Sequence, residues 1–153
     1  MSERTIRGKT AVAGIGETTY YKRAQAPDSE FKMALEAVLL AAEDAGIDVR
    51  EIDGFASYSN DRNTPERIAS ALGIPHYGFS NMFWGGGGGG GSGAMANAVA
   101  AITAGYSDVV VVYRSLAQGQ FGRFGQGAAI PKAPGAMAFT APYRSMARPV
   151  RCL

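Results

Sequence analysis

The residues best suited to chemistry lie in Trp84–Gly93, WGGGGGGGSG, between two patterned segments. Glycine lets a backbone approach a ligand closely and adopt positive φ. A helix that begins within such a run presents unpaired N–H groups and a partial positive charge. Gly89, Gly90, Gly91, Ser92 and Gly93 are therefore the candidate substrate-binding residues, suited to an anion or a developing oxyanion. The competing reading is a flexible linker. The run joins two patterned elements, however, in a chain too short to have a second domain to link. It is not a phosphate-binding P-loop, because the Gly-Lys-Ser/Thr ending is missing. Gly14-Ile15-Gly16 has two glycines of a dinucleotide fingerprint, but Thr19 stands where the third would be, and a strand-ending turn accounts for the pair. Ser92 is expected to cap a helix rather than act as a nucleophile, since the sequence places no histidine to activate it. His76, the single histidine, is given no role. Tyr58, Tyr77, Tyr106, Tyr113 and Tyr143 could serve as acids or bases, with packing as the default for each.

The elements that must position this run follow from periodicity and caps. Thr10–Gly16, TAVAGIG, has the pattern of a buried first strand, and Glu17–Asp28 is a polar loop. Ser29 is a suitable N-cap for a helix through Ala45, with Phe31, Leu35, Val38, Leu39 and Ala42 as its buried stripe and Gly46 as its stop. Ile52–Tyr58 is expected to be a strand. Thr64 and Pro65 open a helix to Leu72, and His76–Phe83 is expected to be a further strand. Ala94–Ala104 is an alanine-rich helix closed by Gly105. Asp108–Tyr113, DVVVVY, is apolar on both faces, as suits a strand in the middle of a sheet. Gln118–Gly135, rich in Gly, Gln and Pro, has no period and is expected to be a long loop. Alternating strands and helices indicate an α/β fold with a mostly parallel sheet.

The composition excludes several classes. With 46% apolar and 18% charged residues in 153, the chain can build a core and is not a disordered composition. The net charge is +2, and residues 144–153 supply three arginines without which it would be −1. No basic face points to nucleic acid. Cys152 is the single cysteine, so no internal disulfide and no CxxC metal spacing exist, and no metal is expected. No apolar run is long enough for a membrane span or a signal sequence, which gives a soluble, cytoplasmic expectation.

Several segments agree in order and spacing with a known family. Lys9–Thr18, Ala41–Ile47, Ile52-Asp53-Gly54, Ser80–Trp84, Gly90-Gly91-Ser92-Gly93 and Gly105–Val112 resemble the N-terminal part of the thiolase superfamily, in particular sterol-carrier-protein-X thiolases and bacterial lipid-transfer proteins. The likeness covers residues 6–143. It implies a thiolase-like fold of two similar halves, of which this chain would supply part of the first. It also places Gly90 where the family carries its nucleophilic cysteine. Without a thiolate no acyl group can be held covalently there. Cysteine-free relatives of this kind resemble steroid side-chain aldolases, which cleave a β-hydroxy acyl-CoA by retro-aldol chemistry. The resemblance further implies coenzyme A thioesters as substrates with no other cofactor, a homodimer, and a partner protein with a zinc ribbon and an OB-fold. Phe121, Arg123 and Phe124 would approach the dimer partner and the site entrance, or serve ordinary loop packing.

The division expected is 1–143 as a partial thiolase-like domain and 144–153 as an atypical tail. RSMARPVRCL departs from the family pattern after Phe139–Tyr143, consistent with truncation or a reading-frame slip. On that expectation the 153-residue chain is inactive, and its alanine-rich helix lies uncovered and drives association. The alternatives are thiolase-like acyl transfer and a non-catalytic acyl-CoA-binding subunit. A nucleotide-binding domain, a further reading, rests on glycine content alone.

Overall fold

The computed structural model describes residues 6–58, 61–84 and 89–117. Its elements are α1 (Glu30–Ala45), β1 (Gly54–Tyr58), α2 (Pro65–Leu72), β2 (Phe79–Phe83), α3 (Gly90–Thr103) and β3 (Val110–Val112).

Local chemistry sets most of the boundaries. The Ser29 hydroxyl accepts the Lys32 N–H at 3.2 Å and opens α1. Gly46 closes it with φ 68°, where its own N–H and that of Ile47 reach the Glu43 and Ala42 carbonyls. Thr64 occupies the N-cap of α2 with Pro65 at the first helical position, and Gly73 ends that helix at φ 69°.

The three strands form a parallel sheet in the order β2-β1-β3. In register, Gly54 to Tyr58 face Phe79 to Phe83, and Gly54 to Ala56 face Val110 to Val112. β1 is central and alternates between two cores. Phe55 joins Val38 of α1, Ile68 and Ala69 of α2, Ile52, Ile74 and Tyr113 on one face. Ala56 meets Ala94 and Ala98 of α3 on the other. The small Ala56 is what allows an alanine-faced helix to lie close to the sheet. At the N-terminal edge, the Asp53 carboxylate accepts the N–H groups of Asp108 (2.9 Å) and Val109 (2.9 Å), which pins β3 to β1.

The α/β class and parallel sheet agree with the sequence pattern, while several expectations change. Thr10–Gly16 is not a strand. It crosses α1, and a Cβ at Gly14 or Gly16 would run into the helix backbone at Ala41 and Ala37. The Ile15 N–H is held by the Asp44 carboxylate at 2.8 Å, and Val12 and Ile15 are exposed. The glycines that suggested a strand-ending turn instead permit a helix-hugging path. Leu39 lies outside the buried stripe, because α1 turns Met33, Ala34, Val38 and Ala42 inward. β3 is an edge strand among the described residues, with its valines half-buried, since β1 takes the centre by pairing on both sides. The strand expected over His76–Phe83 begins only at Phe79.

α3 begins at Gly90, four residues before the expected Ala94. Its inward face is Gly90, Ala94, Ala98 and Ala101, while Met95 is exposed. No described helix is long and apolar enough to cross a membrane. The expected loop Gln118–Gly135, residues Phe121, Arg123, Phe124, Tyr143 and Cys152, and the tail 144–153 lie outside the described residues.

Candidate functional site

The topology points to one end of the sheet. The connection leaving β1 runs through α2 on one face, and the connection leaving the adjacent β2 runs through α3 on the other. In open parallel sheets, ligands bind outside the carboxyl ends of the strands where neighbouring connections diverge in this way. By that rule the ligand crevice falls at Tyr58 and Phe83, which are register partners at the ends of β1 and β2, and α3 starts beside them.

The glycine-rich residues have distinct positions in this crevice. Gly89 is the exposed N-cap of α3, and Gly90 is buried as the first helical residue. Gly91 faces the Tyr58 ring, with its Cβ position 3.6 Å from the ring carbons. Gly93 faces Phe83, whose ring lies 2.8 Å from where a Cβ would be. The space that Gly93 leaves is thus taken by the Phe83 ring, while Gly91 leaves room for a Cβ at ordinary contact with Tyr58. Ser92 is exposed as the third residue of the helix; it is not the N-cap, because the helix begins earlier than its alanine pattern suggests. The Asn97 amide donates to the Asn81 side-chain oxygen at 2.6 Å, which ties α3 to β2.

The segments that follow β1 and β3 share a buried polar cluster that sequence reasoning missed. Asp61 accepts the Asn63 N–H at 2.7 Å and its side-chain amide at 3.0 Å through one oxygen, and the Ser115 N–H at 3.1 Å through the other. The Ser115 hydroxyl donates to the Glu30 carbonyl at 2.7 Å, and the Tyr113 hydroxyl donates to the Asn63 carbonyl at 2.5 Å. Burial pushes the Asp61 carboxyl above the usual carboxylate range, against the opposing pull of these donors and of Arg114. Burial likewise raises Glu30, opposed by Arg62. Burial raises the Tyr113 phenol, with the Asp61 charge adding to it. The cluster fastens the segment after β1 to the segment after β3. The only sequence sign of it was a run of polar residues, Asp61-Arg62-Asn63, after a strand.

His76 precedes β2, at the opposite end of the sheet from the crevice. Among the described residues no group of His, Cys, Asp and Glu is arranged to hold a metal. Tyr77 packs edge-on against Phe55, with centroids 5.1 Å apart, and Tyr106 is exposed between α3 and β3. Among the described tyrosines, Tyr58 is the one at the carboxyl ends of β1 and β2 beside the start of α3. The arrangement offers first-turn helix amides, a phenol and no side chain at position 90: it can stabilise a negative oxygen, and among the described residues it holds no thiol.

A curated protein from Mycobacterium tuberculosis, described as a 17-hydroxy-3-oxo-4-pregnene-20-carboxyl-CoA lyase, is 36% identical over 122 residues, covering 79% of this chain and 31% of its own length. The chain is similar to steroid side-chain aldolases. A steroid side-chain-cleaving aldolase from Thermomonospora curvata is 35% identical over 125 residues, 81% of this chain and 31% of that protein. The solved structure of an Ltp2-ChsH2(DUF35) aldolase superposes with TM-score 0.67 at 32% identity, over 87% of this chain and 33% of the other. The chain therefore spans about a third of the length of the curated relatives it matches. No family model matches the chain.

Proposed function

We propose that this chain forms the helix-N-terminal part of the active site of a thiolase-like lyase that cleaves β-hydroxy acyl-CoA thioesters, with a steroid or similar lipid side chain, by retro-aldol chemistry. The observation that carries the reading is Gly90 as the buried first residue of α3 at the switch-point crevice. Acyl transfer through a covalent intermediate needs a nucleophile there. Retro-aldol cleavage needs a base for the hydroxyl proton and donors for the enolate oxygen that forms. The name of the M. tuberculosis relative fits that demand. Its hydroxyl is on carbon 17 and its carboxyl-CoA on the adjoining carbon 20, a β-hydroxy thioester.

Coenzyme A enters as the thioester substrate, and no other cofactor is invoked. A homodimer and a zinc-ribbon/OB-fold partner, both implied by the resemblance to lipid-transfer proteins, belong to the same proposal, as does a cytoplasmic setting. The test is a hybrid enzyme in which this chain replaces the matching third of the T. curvata aldolase. Incubated with a β-hydroxy acyl-CoA and any partner protein that the aldolase requires, the hybrid is expected to release a ketone or aldehyde and a shortened acyl-CoA. A folded hybrid that binds the thioester and releases neither would favour a non-catalytic binding subunit.

A further inference from the structure

The structure sorts four of the tyrosines that the sequence left equivalent, Tyr58, Tyr77, Tyr106 and Tyr113. The Tyr113 hydroxyl is committed to a backbone carbonyl, and Tyr77 and Tyr106 lie toward the other end of the sheet. Tyr58 is half-buried at the carboxyl end of β1, and its hydroxyl oxygen lies 3.7 Å from the Cβ position of Gly91 in the first turn of α3. Among the described residues that hydroxyl has no hydrogen-bond partner, although the Arg114 guanidinium sits 4.6 Å from the ring centroid. A partly buried phenol normally finds a partner. Here one face of the ring is held by a cation and its edge by a glycine notch, while the O–H has no partner among the described residues.

We propose that Tyr58 is a catalytic hydrogen-bond donor to the thioester oxygen during carbon–carbon cleavage. This rests on the retro-aldol reading above. In that step a general base removes the β-hydroxyl proton, and the O–H electron pair becomes the new carbonyl π bond. The Cα–Cβ pair moves into the thioester, leaving an enolate whose oxygen carries the charge, and Cα is protonated afterwards. Tyr58 donates its O–H to that oxygen and keeps its proton. The hydroxyl, rather than the ring, is the group at work. The ring serves packing, and the surrounding positive groups favour the atom on which negative charge grows.

The experiment compares the hybrid enzyme with its Tyr58→Phe variant, which keeps the ring. The expected result is a fall in kcat on the order of 100-fold, as for loss of one oxyanion donor, with KM and Tm essentially unchanged. Unchanged kcat, or a loss of activity that merely tracks a loss of Tm, would overturn the assignment. A second comparison stands apart from turnover: binding of a nitronate analogue of the enolate and of an inert acyl-CoA thioether to both proteins. The variant is expected to lose affinity on the order of 10-fold or more for the nitronate alone, since a hydrogen bond to a charged acceptor is the stronger kind. Equal nitronate affinity overturns the role of Tyr58 even if the parent hybrid proves unable to cleave, a failure that would count separately against the retro-aldol reading.

Discussion

Asp61 joins two loops that are far apart in sequence. Each of its oxygens accepts from the protein, so Asp61→Asn keeps one acceptor and turns an NH2 toward the N–H donors of Ser115 or Asn63. Leaving a buried donor unmatched costs about 1–3 kcal/mol, and the variant is expected to unfold at correspondingly lower urea. The pH dependence has a definite sign. Because the folded-state pKa is raised, the folded protein binds this proton more tightly than the unfolded chain. The burial penalty is fully present above the raised value and relieved as pH falls toward the ordinary carboxylate value. Stability should therefore fall as pH rises across that interval. Glu30, raised in the same direction, adds to the slope and remains in the variant. Urea unfolding from pH 4 to 7 should show a flatter profile for Asp61→Asn, and an unchanged slope would contradict the assignment.

At the scale of elements, the first turn of α3 sets two glycines with different duties side by side. At Gly91 an added methyl would stand 3.6 Å from the Tyr58 ring, an ordinary contact. Gly91→Ala should stabilise the chain by about 0.5–1 kcal/mol through helix propensity. At Gly93 the methyl would meet the Phe83 ring at 2.8 Å. The overpacking cost of about 1–3 kcal/mol should outweigh the propensity gain and make Gly93→Ala neutral to destabilising. Thermal melts of the two variants should therefore diverge, and equal stabilisation would show that Phe83 does not fill the notch.

The same elements show what the sequence could disclose. Ser29, Gly46, Pro65 and Gly73 act through their nearest neighbours, and these boundaries are legible from residue type alone. The start of α3 is not, because glycine has no helix preference and only packing against Tyr58 and Phe83 draws it into the helix. Thr10–Gly16 misleads for a related reason. A small-and-apolar alternation suits a buried strand and a path pressed onto a helix equally well. The Asp61 cluster depends on contacts that span 54 residues between Asp61 and Ser115, which no local pattern records.

For the molecule as a whole, strand order supplies what the glycine run alone could not, namely a place. The divergence of α2 and α3 from adjacent strands marks the carboxyl ends at Tyr58 and Phe83 as the switch point, and the helix with glycine at its head starts there. Relatives about three times as long match this chain over a third of their length, and are described as a pregnene-carboxyl-CoA lyase and a steroid side-chain-cleaving aldolase. The chemistry proposed for the whole depends on cleavage without an acyl-enzyme. Intact-mass and peptide mapping of the hybrid enzyme, quenched during turnover of a β-hydroxy acyl-CoA, tests this most directly. The account predicts released ketone or aldehyde with every peptide spanning Trp84–Gly93 at its unmodified mass. An acyl increment on that segment, for instance on the exposed Ser92, would contradict it.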